Sequence, residues 1–425
     1  MSNNNSPTLS PQLQTLSDAA GEAWLYSLPL IEIATTRARG AARGGKLNSI
    51  LHIPKLADHR ARDVTTPNHD TLYSSAQLDL RAGPITLSLP AMGERYFSLA
   101  LMDAYSNNFI ILGTRTTGPE GGLFQLVGPD EAASGDHIIR APTNQVWALG
   151  RILVAGPDDL QAARKMQAQL SLQGPALEHS QQYANRSASW QAYFASADAL
   201  MLLNPPPVTD LAILRRIAPL GIGKGAFNAD QFNAAQAAAI EQGISAARNS
   251  IRGSGIASAA VIDGWSYPSY ELGDFGQAYA YRAGVALGGL AALPVVEAMY
   301  MTAQGDNGAL FDGTQNWQLH FAAEQLIPVD SFWSLSLYEA TQDGQFFFVD
   351  NSLNRYIISD RSAGLQYNDD GSLDIWIGAQ HPGAARQANW LPAPAGLFAL
   401  FIRAYLPQPR LLQGSYRLPP ITPVV

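Results

Sequence analysis

Two stretches of this chain alternate apolar residues with small or polar ones in the same order. They are FSLALMDA at residues 97–104 and WSLSLYEA at residues 333–340, and each reaches a carboxylate, Asp103 or Glu339, before a turn. A period of two is typical of a strand with one face in a core. A similar segment precedes each stretch, QLDL at 77–80 and QLHF at 318–321. The pattern predicts two related β domains with a site at strand ends or between the copies, although unrelated strands can share such a pattern.

Further strands are predicted where short apolar runs are bounded by Gly and Pro. In the first β region they span residues 85–89, 95–103, 109–113, 123–127 and 146–154. In the second they span residues 332–339, 345–350, 355–359, 373–378 and 397–405.

Helical spacing characterises the N-terminus and the middle of the chain. Leu13, Leu16, Ala20, Trp24 and Leu28 recur at helical intervals, which predicts an amphipathic helix over residues 13–38. After a Gly-Pro-Asp-Asp sequence at 156–159, segments rich in Ala, Gln and Leu predict further helices. These cover residues 160–172, 187–203, 210–218, 229–251 and 275–302.

Together these elements predict an α+β protein with two β domains and a helical insertion between them. An N-terminal helix and Gly-rich loop are expected at residues 1–45 and the first β domain at 46–155. The helical region is expected at 156–305 and the second β domain at 306–425.

Composition narrows the class of protein. The chain has 425 residues, 47% of them hydrophobic and 15% charged, which suits two or three folded domains. A net charge of −8 would repel nucleic acid, and the seven cations between Arg37 and Arg62 are interpreted as a solvated loop. The absence of cysteine excludes disulfides, thiolate metal sites and a Cys nucleophile.

The chain shows no pattern for a membrane span or a signal sequence. Its N-terminus lacks a positive region followed by an apolar run, and the apolar window at 283–301 contains Pro294 and Glu297 and predicts a buried helix. We therefore expect a soluble, cytoplasmic protein without membrane contact, and a mature exported form stays open.

Several phrases resemble a known bacterial family. PNHDTLYS at 67–74, RYF at 95–97, DAY at 103–105 and GTRTTG at 113–118 resemble the domain of unknown function 1254. FWSL at 332–335, DNSLNRY at 350–356, DGSL at 370–373 and NWLPAP at 389–394 are similar to its partner, the domain of unknown function 1214. The resemblance covers most of residues 20–420 and implies two antiparallel β-sandwich-like domains, of jelly-roll type, around helices. It implies little chemistry, and His69 departs from the family pattern.

The densest polar group of the sequence predicts acid/base chemistry. Asp70, Tyr73 and Asp103 are the expected catalytic residues, because a phenol transfers a proton while a carboxylate orients it. Asn68, Tyr105 and Asn107 are expected to bind and orient the substrate. An Asx-type turn that only satisfies backbone amides explains the segment around Asn68 equally well.

Cations and aromatic residues complete the expected substrate site. Arg282, His320 and Arg355 are expected to hold an anionic or carbonyl oxygen, since a buried cation is costly without an anionic partner. Trp333 belongs to an aromatic-rich segment that could line a groove, although core packing explains most of these rings.

Other chemistries lack their motifs in the sequence. The histidines form no H-x-x-x-H or H-x-H pair, so no metal is expected. No G-x-S-x-G elbow or phosphate-binding loop occurs, so no cofactor is expected.

The leading expectation is a cofactor-independent enzyme, a hydrolase or lyase, that acts on a small organic molecule at the junction of the two β domains. A carbohydrate-binding or small-ligand-binding module with a Trp-rich face is the second interpretation. A structural homo-oligomer is the third.

Overall fold

The fold is a mixture of helices and mainly antiparallel sheets. The computed structural model describes residues 9–175, 177, 181–252, 257–303, 305 and 309–424, with 257–260 as backbone only. Its helices are α1 (Pro11–Ala42), α2 (Leu160–Gln167), α3 (Trp190–Leu203), α4 (Leu211–Ile217), α5 (Ala234–Ser250), α6 (Tyr279–Gly288) and α7 (Pro409–Leu412). The expected helices are thus present, with one exception at 275–302.

The long helix α1 has a capped N-terminus and a buried apolar face, and both favour a helix over this segment. The Ser10 side chain accepts a hydrogen bond from the Leu13 amide, and Pro11 occupies the first turn, where its missing N–H costs nothing. Its buried residues join α3, α4 and α5 in one helical core. Helix α5 crosses α1 closely at Gly243, where a Cβ atom would lie 1.9 Å from the Ser17 carbonyl oxygen.

The first β unit consists of two sheets. Its strands are β1 (Ile50–Ile53), β2 (Thr71–Asp79), β3 (Ile85–Leu89), β4 (Phe97–Met102), β5 (Asn108–Gly113), β6 (Gly122–Val127), β7 (Ile138–Arg140), β8 (Gln145–Leu153) and β9 (Ser171–Gln173). The larger sheet has the order β1-β2-β8-β4-β5 and the smaller one β7-β6-β3-β9. Apolar residues of both sheets share one core with α2.

The second β unit also has a larger and a smaller sheet. Its strands are β10 (Ala257–Ile262), β11 (Trp265–Pro268), β12 (Ala298–Ala303), β13 (Phe311–Asp312), β14 (Trp317–Phe321), β15 (Val329–Ala340), β16 (Phe346–Phe347), β17 (Ile357–Ser359), β18 (Leu373–Gly378), β19 (Trp390–Pro392), β20 (Leu397–Pro407) and β21 (Ile421–Pro423). The larger sheet has the order β10-β11-β12-β20-β15-β16, and β17 also pairs with β15. The smaller sheet has the order β19-β18-β14-β21.

The two β units repeat one topology. The order β2-β8-β4-β5 recurs as β12-β20-β15-β17, and β7-β6-β3-β9 recurs as β19-β18-β14-β21. Even the parallel pairs correspond, since β6 lies parallel to β7 and β18 parallel to β19. Ser98 of β4 faces Arg151 of β8, and Ser334 of β15 faces Arg403 of β20. This register confirms that residues 97–103 and 333–339 are equivalent.

The preceding segments are not equivalent, although their sequences are alike. Residues 77–79 belong to β2 of the larger sheet, whereas 318–321 belong to β14 of a smaller sheet. The topological counterpart of β14 is β3 at Ile85–Leu89. This part of the sequence prediction is wrong, because a four-residue apolar alternation fits either sheet.

The expected helix at 275–302 contains two elements. Helix α6 ends at Gly288, and strand β12 begins at Ala298 and pairs with β20. Pro294 lies between them, and proline lacks the N–H that a helix would need there. The interpretation of 283–301 as one buried helix is therefore wrong. The larger sheet of the second β unit draws this strand from the segment that we assigned to the helical region.

The larger sheets of the two units face each other. In β4 and β15 alternate residues point into their own cores, and the remaining ones point toward the other unit. Tyr96 of the first unit packs on Phe332 and Tyr405 of the second, with ring centroids 5.5 and 5.2 Å away. We call this contact between the units the junction.

Candidate functional site

The segment before β2 crosses from the first unit to the second. The Asn68 side chain accepts a hydrogen bond from the Asp70 amide at 2.6 Å and donates one to the Tyr405 hydroxyl at 2.7 Å. The Tyr338 hydroxyl donates to the Pro67 carbonyl at 2.7 Å. Asn68 therefore forms the turn that the sequence allowed, and it also fixes the junction.

Asp70 places a carboxylate inside the junction. Its Oδ2 accepts a hydrogen bond from the Ser334 hydroxyl at 2.6 Å, and its Oδ1 lies 3.6 Å from Nη2 of Arg361. The Asp70 side chain is fully buried. Residues of the second unit thus hold this expected catalytic group of the first unit.

Arg361 also pairs with a second carboxylate, that of Asp360, through its other terminal nitrogen. Its Nη1 donates to Asp360 at 2.9 Å, and its guanidinium lies 3.9 Å above the Phe332 ring. Burial raises the pKa of Asp360 to about 6, and the charge of Asp70 adds to the rise while Arg361 opposes it. Asp360 keeps about a quarter of its side chain exposed, at 27%. Near neutral pH this group can both give and take a proton.

Glu297 of the second unit pairs with an arginine of the first unit, as Asp70 of the first unit does with Arg361 of the second. It is fully buried, accepts a hydrogen bond from the Tyr96 hydroxyl at 2.9 Å and pairs with Nε of Arg115 at 2.7 Å. Each unit therefore sends one buried carboxylate to an arginine of the other.

Tyr73 belongs to a row of residues across the larger sheet of the first unit. It is opposite Arg151, which is opposite Ser98, and the Arg151 guanidinium lies 5.3 Å from the Tyr73 ring. The same row in the second unit is formed by Tyr300, Arg403 and Ser334. The row gives the junction a cationic centre lined by phenols.

Asp103 belongs to a different place. It accepts hydrogen bonds at 2.9 Å from the amides of Tyr105 and Asn107 and from the Asn107 side chain. Burial raises the pKa of Asp103, and these hydrogen bonds together with the charge of Arg282 oppose the rise. The three residues form a turn at the end of β4.

Arg282 lies close to that turn and is enclosed by aromatic rings. Its guanidinium lies 5.2 Å from the rings of Tyr26 and Tyr279 and 5.7 Å from that of Tyr105. The hydroxyls of Tyr26 and Tyr279 both donate to Asp210. Tyr105, Asn107 and Arg282 are thus brought together with Asp103, in the helical core and its border.

Asp70 and Asp103 lie at opposite ends of one sheet. The Asp70 carbonyl bonds the Val154 amide, whereas Met102, just before Asp103, is opposite Trp147. Trp147 and Val154 are seven positions apart, which corresponds to about 23 Å at roughly 3.3 Å per residue. One small molecule cannot contact both carboxylates, so the expected single proton-transfer group is wrong.

The remaining expected site residues also lie elsewhere. His320 is exposed on β14 and pairs with Asp374 at 2.7 Å. Arg355 donates hydrogen bonds to the main-chain carbonyls of residues 387, 388 and 390. It therefore holds the loop before β19 in place. Trp333 is buried in the core of the second unit beside Phe321. His320 and Trp333 do not form a substrate site with Asp70, because β14 and the Trp333 side chain face away from the junction. The guanidinium of Arg355 is taken up by main-chain carbonyls.

The tryptophan-rich face that we expected is occupied by the protein itself. Trp376 is covered by Arg386 at 3.8 Å, and Trp317 packs against Phe311 at 5.0 Å. Trp390 is buried and donates to the Gly378 carbonyl at 3.0 Å. Trp317 and Trp376 are half-buried.

Sequence reasoning missed a polar cavity beside α1. It has a volume of about 200 Å³, and its polar lining includes Arg37, Asp79, Arg81, Gln145 and Tyr183. Arg37 is buried, which corrects its interpretation as part of a solvated loop. The signal was available, because Arg37 continues the helical spacing of the apolar face through Ile31 and Ala34.

A second cavity of about 200 Å³ is mostly apolar and lies beside β11 and α7, with Tyr267, Met299, Leu411 and Arg417 in its lining.

Among the residues that the structure describes, no group of three or more His, Cys, Asp or Glu side chains is placed to hold a metal ion. Within the same residues, no helix is long and apolar enough to cross a membrane.

Comparisons with known proteins agree with the two-unit architecture. Residues 47–174 match the family described as "Protein of unknown function (DUF1254)", and residues 297–409 match "Protein of unknown function (DUF1214)". No curated protein matches the chain. The VPA0106 protein from Vibrio parahaemolyticus has a similar crystal structure, with a TM-score of 0.74 and 22% identity over 96% of this chain and 100% of that one. An uncharacterised protein from Burkholderia cenocepacia gives a TM-score of 0.46 and 14% identity over 93% and 92% of the two chains.

Proposed function

The chain belongs to the family that joins a DUF1254 region to a DUF1214 region, and on that premise we propose that it is a cofactor-independent acid/base enzyme. Its substrate is a small organic molecule, and its reaction is a hydrolysis or an elimination. The reacting groups lie at the accessible edge of the junction, around Asp360 and Arg361.

One observation carries this proposal: two carboxylates from different units flank a single guanidinium. Asp70 is buried on one side of Arg361, and the partly exposed Asp360 lies on the other. A carboxyl group that is partly buried and lies near another negative charge holds its proton to a higher pH, which suits a general acid/base. The pKa of about 6 for Asp360 suits proton transfer near neutral pH.

The arrangement suggests a role for each residue. Asp360 takes a proton from water or from the substrate and returns it to the leaving group. Arg361 stabilises negative charge that develops on a substrate oxygen. Buried Asp70 positions Arg361 through its contact with Nη2. Tyr367 is exposed and close enough for the charge of Asp360 to act on it, so it can contact the substrate.

We also propose that each β unit is a sandwich of the jelly-roll type. The support is that the larger and smaller sheets of the first unit share one apolar core, and those of the second unit share another. In this arrangement the outer faces of the larger sheets are left to build the junction.

The test is an activity screen with matched variants. The purified protein is assayed against aryl esters, lactones and hydroxy acids over a range of pH. We expect turnover to rise as Asp360 ionises, to disappear in Asp360→Asn and to fall in Asp70→Asn. Asp343→Asn is the control, because Asp343 is an exposed carboxylate in a separate turn.

Full activity in Asp360→Asn at an unchanged melting temperature would exclude this site. Loss of activity in the Asp343→Asn control would show that the assay reports general damage instead of chemistry at Asp360.

A further inference from the structure

The polar cavity beside α1 contains the cation Arg37, which forms no ion pair among the described residues, although the charge of Asp79 acts on it. Arg37 donates from Nε to the Gln77 side chain at 3.4 Å and from Nη2 to the Leu78 carbonyl at 3.3 Å, and both contacts are long. Its Nη1 has no hydrogen-bond partner among the described residues. Burial lowers the pKa of Arg37 to about 10, so the guanidinium stays charged at neutral pH. A buried, unpaired guanidinium is costly unless an anion approaches it.

The acidic residue of the cavity is already neutralised by another cation. Asp79 accepts hydrogen bonds from Nε and Nη2 of Arg81 at 2.9 and 2.6 Å. Burial alone would raise the pKa of Asp79, but the hydrogen bonds and charge of Arg81 outweigh it and lower that pKa. Arg37, Arg81 and Asp79 together give the cavity one net positive charge.

The size and walls of the cavity define what it can hold. About 200 Å³ is far above the roughly 10–15 Å³ that one water molecule needs. Ala34, Leu47 and Leu203 add apolar surface beside the polar groups. A single positive charge favours a monoanion, and the carboxylate of Asp79 disfavours a doubly charged phosphate.

We propose that this cavity is a binding site for a small organic monocarboxylate. The carboxylate accepts hydrogen bonds from Arg37, whose planar fork matches its two oxygens. The hydrocarbon part lies against the apolar wall. The site is separate from the Asp360 region, so either proposal can fail without the other.

Binding is measured by calorimetry on the full chain, with butyrate, benzoate, benzamide and inorganic phosphate as probes. We expect saturable binding of butyrate or benzoate and none of phosphate or of benzamide, the neutral analogue of benzoate. Arg37→Met should weaken carboxylate binding by at least about tenfold, because a charged hydrogen bond is lost. Arg43→Met is the control, since Arg43 is exposed and pairs with Asp63.

Equal binding of benzamide and benzoate, unchanged binding in Arg37→Met, or no carboxylate binding at all would each overturn the proposal. If Arg37→Met does not fold, the wild-type protein is crystallised with para-bromobenzoate and the position of the bromine is measured instead. Anomalous scattering should place the bromine near Leu47 or Leu203, and a bromine only at other sites would refute the assignment.

Discussion

Asp70 and Glu297 are structural counterparts in the two β units. The Asp70 carbonyl accepts a hydrogen bond from the Val154 amide, and the Glu297 carbonyl accepts one from the Leu406 amide. Each side chain then crosses the junction to an arginine two residues beyond an equivalent strand, Arg361 after β17 or Arg115 after β5. The duplication therefore extends from strand order to reciprocal ion pairs.

Breaking one reciprocal pair should destabilise the whole protein. Among the described residues, Arg115→Met leaves the fully buried Glu297 with the Tyr96 hydroxyl as its side-chain partner, which should lower the free energy of unfolding by about 2–4 kcal/mol. Chemical denaturation measures this change. Arg43→Met, which removes an exposed pair, should cost less than about 1 kcal/mol. Similar losses in both variants would contradict a special role for the junction.

The ionisation of Asp360 should make stability depend on pH. Its folded pKa of about 6 lies above the ordinary value of 3.8, so its contribution is fully present below the ordinary pKa and is lost as pH rises through about 6. The loss amounts to roughly 3 kcal/mol at most. The difference in unfolding free energy between wild type and Asp360→Asn should therefore change across this window. A difference that stays constant with pH would mean that Asp360 titrates normally.

Two phenols that share Asp210 should show coupled effects. Tyr26 is buried and Tyr279 is partly exposed, and both donate to this buried carboxylate. Tyr26→Phe should cost about 1–3 kcal/mol and Tyr279→Phe less. The double variant should cost more than the sum, because Asp210 loses both donors. Additive losses in denaturation experiments would show that other groups satisfy Asp210.

The close crossing of α1 and α5 should tolerate no side chain at Gly243. Gly243→Ala places a Cβ atom 1.9 Å from the Ser17 carbonyl oxygen and should lower the melting temperature strongly. Gly40→Ala is the matched control, since its Cβ would meet nothing within 4 Å and alanine favours a helix. The control should keep or slightly raise the melting temperature, and a comparable loss in both would argue against this crossing.

Local patterns in the sequence located most of the elements. The run at 97–103 alternates apolar residues with small or polar ones except at Met102, so its strand and its equivalence to 333–339 were predicted, with a chance resemblance as the alternative. Helix α1 was equally clear from its spacing. The strand β12 was missed, because Ala, Met and Thr next to a Gly-rich and Ala-rich helix give no distinct period.

The candidate site depended on contacts between segments far apart in sequence. Asp70 was recognised as a polar residue near a strand, but nothing in its neighbourhood pointed to Ser334 or Arg361. Asp103 lies closer to it in sequence and yet lies at the opposite end of the sheet. Both β2 and β4 are antiparallel to β8 and so run in the same direction, and Asp70 precedes β2 whereas Asp103 follows β4. Arg37 looked like one of several surface cations until α1 was packed against β2.

The sequence by itself determined most of the helices and strands and which face of each is apolar, because these follow from local periodicity. It also determined that the β unit occurs twice. Only the tertiary structure decided that the larger sheets meet face to face and bury Asp70 with Arg361, Glu297 with Arg115 and Arg37 beside a cavity. The physical reason is that periodicity specifies a face to be buried but not its partner, and the charge of a buried group depends on that partner.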